Sequence, residues 1–173
     1  MIHVIGMMKI INGKSTTINY SMEKQLAQVQ DFNDLFGIKY KDSPELCSEK
    51  QMNARISYLE EEIAELKVAF ANNDLVEVAD ALVDIQYFLA GAVLENGLQH
   101  VFVDLFDTVQ EANMDKVPST YEQALETSND YLSKGIGTHI EELNGKFLVL
   151  RDGDNKVLKR KGWVAPKFDD ILS

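Results

Sequence analysis

Apolar side chains at Ile56, Leu59, Ile63, Leu66 and Phe70 follow one another at spacings of 3, 4, 3 and 4. That is the repeat of one face of an α-helix. The pattern predicts a long helix over 49–71 with a core-facing seam, broken by "ANND", where Asp74 is placed to cap the next helix. That next helix, 75–95, is apolar on most sides, which predicts a buried central helix ending at Gly97. Upstream, a helical pattern over 22–35 stops at Gly37, and a polar loop with Pro44 follows. Downstream, a helix over 99–115 carries a seam of Phe102, Phe106 and Val109, and Pro118 closes the segment. "STYE" (Ser119 to Glu122) has the form of a capping box and opens a further helix to Lys134. The two ends of the chain read as β. "MKIINGKSTTINY" sets Asn12-Gly13 between two β-prone runs, a hairpin signal. His139 to Trp163 reads as a β-meander with turns at Asn144-Gly145 and "DGDN" (Asp152 to Asn155). The expected fold is all-α, a four- to five-helix bundle with small β appendages at both termini. The expected divisions are a hairpin over 1–21, a helical domain over 22–136 and a meander tail over 137–173.

Composition narrows the chemistry. A chain of 173 residues, 45% hydrophobic, fits one globular domain with an appendage. Its 17 basic and 28 acidic side chains give a net charge of −11, which argues against nucleic acid or an anionic membrane as a partner. An anionic small molecule is still admissible if a divalent cation mediates. Cys47 is the only cysteine, so no intrachain disulfide or cysteine zinc site is available. His3, His100 and His139 show no metal-ligand spacing. No apolar run reaches membrane-spanning length, and "MIHVIGMMKI" lacks the basic start of a signal peptide, so a cytoplasmic location is expected. "NGKST" resembles the end of a phosphate-binding loop, but Met8 stands where that motif needs glycine.

The acids are distributed unevenly. Glu60, Glu61, Glu62 and Glu65 crowd two turns of the first long helix. Folding the two central helices back about Asn73 sets Glu62 level with Asp84 and Glu65 roughly level with Asp80. Glu62/Glu65 and Asp80/Asp84 each share a stripe of their own helix, and Glu77 extends the second stripe. Asp80 and Asp84 interrupt an otherwise apolar stretch, "VADALVDIQYFLAGAV", where unpaired carboxylates would be costly. Oxygen-only ligands converging from two helices select a hard cation, Mg²⁺ or Mn²⁺. Asn113 and Lys116 continue the seam of the third long helix by 4 and 3, placing an amide and an ammonium in phase with the core. Lys116 can bind phosphate oxygens as a point charge, or simply complement a helix C-terminus. Arg55, seven residues before Glu62, can meet phosphate or pair with a nearby acid.

"EEIAEL", "DALVDIQYFL" and "EANMDK", together with "DFNDLFG" in the first helix, resemble the MazG-like all-α nucleoside triphosphate pyrophosphohydrolases over roughly 24–116. That superfamily includes dimeric dUTPases, dCTP pyrophosphatases and phosphoribosyl-ATP pyrophosphohydrolase. The resemblance implies cleavage of a nucleoside triphosphate to monophosphate and pyrophosphate, a house-cleaning activity on the nucleotide pool. It implies Mg²⁺ held by an E-x-x-E on one helix and an E-x-x-D on the next. Glu62 and Glu65 match the first pair. For the second, "EVAD" offers Glu77 and Asp80, whereas "ALVDI" fits a dUTPase-like pattern with Asp84 as its aspartate and Ala81 where the family has glutamate. The hairpin register favours Asp80 and Asp84. Glu61 is the expected general base, Lys116 and Asn113 the phosphate and sugar contacts, and Phe32 and Asn33 the base pocket. A homodimer or homotetramer is implied as well. Phosphoribosyl-ATP hydrolysis in histidine biosynthesis is the sibling activity, and an acidic helical interaction module is the non-enzymatic alternative.

Overall fold

The computed structural model describes residues 7–11, 14–18 and 22–173. They fall into two compact units, Met1–Val103 and Asp104–Ser173. The fold is all-α with small β appendages.

In the first unit, β1 (Met7–Ile11) pairs antiparallel with β2 (Lys14–Ile18), Ile11 opposite Lys14. The Asn12-Gly13 turn expected between them lies outside the described residues. Three helices follow, α1 (Met22–Phe36), α2 (Glu49–Ala71) and α3 (Leu75–Glu95). Ser48 caps α2 through a capping box with Gln51. Asp74 caps α3, its carboxylate accepting from the amides of Val76 at 3.1 Å and Glu77 at 3.2 Å. Between the two helices Asn73 turns the chain in the left-handed region, φ 54°, which asparagine tolerates better than most residues. These caps and a connection of three residues, 72–74, fold α2 and α3 into an antiparallel hairpin, as the sequence predicts.

The core of this unit lies at the far end of α3. Leu26 and Val29 of α1 pack on Ala90, Val93 and Leu94 of α3, with Tyr40, Leu98 and Phe102 closing around them. Gly97 (φ 66°) stops α3 where a Cβ would stand 1.9 Å from the Ser43 carbonyl oxygen, so only glycine fits. The 38–47 loop is held there by Asn96, whose Oδ1 accepts from the Cys47 amide at 2.9 Å.

The expected seams are only partly internal. On α2 only Ala69 is buried; Ile56 and Ile63 are exposed and Phe70 is 77% exposed. Helix α3 is buried over its last turns, whereas Leu75, Val76, Leu82 and Val83 near the hairpin tip face outward. The periodicity correctly marks an apolar face. What it cannot supply is a third layer, and within this unit α1 packs on α3 from about Tyr87 onward.

Helix α4 (Phe102–Met114) begins three residues later than its pattern predicts and has no fully buried residue. In the second unit, α5 (Tyr121–Ser133) is capped by Thr120, which accepts from the Gln123 amide at 3.3 Å. The sequence pointed to Ser119 for that role; the cap is shifted by one residue. Strands β3 (Thr138–Leu143) and β4 (Lys146–Arg151) form an antiparallel hairpin around Asn144 (φ 52°) and Gly145 (φ 71°), the two left-handed residues of a tight hairpin turn. The expected third strand of the meander is reduced to one bridge, Leu150 to Val157. Ala124, Val149 and Leu158 form the core of this unit. A short α6 (Asp169–Leu172), unforeseen in the sequence, ends the chain.

Candidate active site

The carboxylates meet on the α2/α3 hairpin. Glu62 is half-buried, and its carboxyl is held above its ordinary pKa, first by loss of solvent and then by the charges of Glu65, Asp84, Glu61 and Asp80, in that order. Four acids from two helices thus act on one. The helix-hairpin register sets this out: Glu62 and Glu65 are one turn apart on α2, and Asp80 and Asp84 are one turn apart on α3. Asp84 is half-buried; Glu61, Glu65, Glu77 and Asp80 are exposed. Ala81, where the resembled family carries glutamate, is buried. Glu77 lies one turn before Asp80 on α3. It lines a shallow cleft of about 460 Å³ at the hairpin tip, shared with Glu65 and Asp74.

An all-oxygen donor set of this charge suits a hard divalent cation in its chemistry. Among the described residues no three acid, histidine or cysteine side chains already stand as a ligand group.

One turn further from the tip, the same hairpin and α1 enclose a cleft of about 690 Å³. Phe32 and Asn33 enter it from α1, Arg55 and Tyr58 from α2, Tyr87 and Phe88 from α3. The aromatics brace one another. Tyr58 stacks on Phe88 with centroids 5.1 Å apart, and Phe32 meets Tyr87 edge-on at 5.9 Å. Asn33 is 1% exposed and its Nδ2 has no hydrogen-bond partner. A buried donor left unpaired is costly, about 1–3 kcal/mol, and here it lies in the wall of an open cleft.

Arg55 pairs with an acid, one of the two roles the sequence leaves open for it. Its Nε and Nη2 donate to the two oxygens of Glu95 at 3.1 and 2.9 Å, and Glu95 is only 5% exposed. The pair sits against Gly91, where a Cβ would lie 2.5 Å from the guanidinium carbon. Glu95, Tyr58, Tyr87 and Phe88 were not singled out in the sequence. The signal available was helical spacing: Tyr58 follows Arg55 by three, and Gly91 and Glu95 follow Tyr87 by four and eight.

Asn113 and Lys116 belong to the second unit. Lys116 Nζ donates to Asn113 Oδ1 at 2.6 Å, so the two form one polar group at the end of α4. Asn113 is exposed and Lys116 half-buried, which differs from the core-facing placement their phase predicts.

Over residues 29–113 the chain matches the family model for phosphoribosyl-ATP pyrophosphohydrolase, a member of the MazG-like all-α nucleoside triphosphate pyrophosphohydrolase superfamily. It is accordingly an enzyme, a hydrolase of a phosphoanhydride bond. No curated protein matches the chain. No helix among the described residues is long and apolar enough to cross a membrane.

Proposed function

We propose that the chain cleaves a nucleoside triphosphate between its α and β phosphates, releasing monophosphate and pyrophosphate in a divalent-cation-dependent reaction. The observation that carries this reading is the confluence of Glu65, Asp84, Glu61 and Asp80 on the half-buried Glu62. Mutual repulsion of that kind is relieved by a bound cation. Glu62, Glu65, Asp80 and Asp84 would hold Mg²⁺, or Mn²⁺, with Glu77 in reserve at the tip. The chemistry the cation supplies is neutralisation of phosphate charge and acidification of the attacking water.

The remaining work falls to the chain's own groups. Glu61, exposed beside Glu62, takes a proton from the water. Phe32, Tyr87, Tyr58 and Phe88 offer flat apolar walls to a base, and Asn33 offers an unmet donor to its edge. Tyr58 lies one turn before Glu62 and Phe88 one turn after Asp84, about 6 Å along each helix. That offset suits a base in the cleft with its phosphates directed at the acids. Lys116, steadied by Asn113, is the phosphate contact proposed for the second unit. Arg55 positions the cleft wall through Glu95 and does not need to touch phosphate.

Phosphoribosyl-ATP hydrolysis is the second reading, favoured by the description of the matching family model. A pyrophosphate-release screen over canonical and modified nucleoside triphosphates and phosphoribosyl-ATP, with and without Mg²⁺, separates the two. Release from phosphoribosyl-ATP alone replaces the first reading with the second; no release from either counts against both. The outward apolar residues at the hairpin tip support a homodimer or homotetramer.

A further inference from the structure

We propose that the C-terminal tail supplies a second phosphate contact, Lys159, which joins Lys116 across the indole of Trp163. The inference rests on Lys116 being read as a phosphate contact. The tail is tied to the end of α4 by several independent bonds. Trp163 Nε1 donates to the Ala112 carbonyl at 2.6 Å, and the Arg160 amide donates to the Lys116 carbonyl at 2.9 Å. Arg160 also grips Asp115 with two bonds of 2.9 and 2.7 Å. This anchorage places Lys159 Nζ 3.8 Å from the Trp163 ring centroid, with Lys116 Nζ 5.9 Å from the same centroid.

Charge bookkeeping distinguishes Lys159 from its neighbours. Of the basic run 159–161, Arg160 is neutralised by Asp115 and Lys161 by Glu126. Lys159 has no carboxylate partner among the described residues, and Lys116 has only the neutral Asn113 amide. Two unneutralised ammoniums therefore share one aromatic ring in a protein of net charge −11. Like charges repel, and the ring compensates only in part. An anion bridging both would complete the arrangement, and oxygens of a polyphosphate chain have the charge and spread to do so. Both lysines, the indole and the bonds that hold them lie within the second unit.

The test uses inorganic pyrophosphate as probe, without added divalent cation, so that the acid cluster of the first unit does not contribute. Trp163 is the only tryptophan, so its fluorescence reports this site alone. Pyrophosphate should change the emission saturably. Lys159→Gln should raise the apparent Kd about five- to tenfold, the loss of one charge-assisted contact, and Lys159→Arg should restore most of it. Lys161→Gln, which removes a lysine already paired with Glu126, should titrate like the wild type. Identical titration of Lys159→Gln and wild type, or no saturable change in the wild type, overturns the inference. Failure of the catalytic reading looks different: no nucleotide is turned over, while pyrophosphate binding still depends on Lys159.

Discussion

Glu62 has four acids for company, and that makes its titration a probe of the site. A carboxyl whose pKa is raised on folding binds its proton more tightly in the folded than in the unfolded chain. Its contribution to stability is then lost as pH rises from the ordinary glutamate range through the raised value. Without metal, therefore, Glu62→Gln should raise the melting temperature at neutral pH. Mg²⁺ should stabilise the wild type at neutral pH, and progressively less as pH falls into the range where Glu62 takes up its proton. Thermal scans across pH with Mg²⁺ or chelator check this; a wild type indifferent to Mg²⁺ at neutral pH would remove the cation from the proposal. In kinetics, Glu61→Gln should cost about 10²- to 10⁴-fold in kcat, the usual worth of a general base. Glu62→Gln and Asp84→Ala should abolish turnover with helical circular dichroism intact. Arg55 tests a structural role instead. Arg55→Ala leaves Glu95 buried and unpaired, at a cost of about 3–5 kcal/mol by denaturant unfolding. How far these residues could be read in advance differs. The proximity of Glu62 and Asp84 was legible because an antiparallel hairpin fixes which turns face each other. The partner of Arg55 was not, because Glu95 is forty residues away and meets it only through tertiary packing.

At the level of elements, the sequence carries the ends of helices more clearly than their environment. Asp74 and Gly97 marked their boundaries because each solves a local problem of unpaired amides or left-handed backbone. The seam of Ile56, Ile63 and Phe70 was legible as a face and illegible as an interior. Periodicity reports amphipathicity without naming what covers it. The turn after β4 gives a prediction of its own. Arg151 and the Lys156 amide hold Asp154 down to about 2, so its stabilising effect is present above the ordinary aspartate range and lost as pH falls through about 2. Asp154→Asn should lower the melting temperature at neutral pH, and the gap between the two proteins should close near pH 2. A gap that does not change with pH would mean that the ion pair contributes nothing to the turn.

For the whole molecule, the outward apolar side chains are the salient fact. Leu75 is 79% exposed, Val76 75% and Val83 63%, all on one helix near the tip of the hairpin. Apolar surface so concentrated is normally covered, which is why a homo-oligomer was proposed above. Sedimentation should give a dimer or tetramer, and Val83→Glu should shift it toward monomer; a wild type that sediments as a monomer at micromolar concentration would refute the assembly. A single chain's pattern cannot separate a face meant for its own core from one meant for another copy.

The one-turn stagger between aromatic cleft and acid cluster has a mechanical consequence. Both are mounted on the same two rods, with no loop between them to absorb error. A misfitting base that pries α2 from α3 would also spread the carboxylates, so poor recognition would show up as slow chemistry as well as weak capture. Selectivity in such a device is written into the rate.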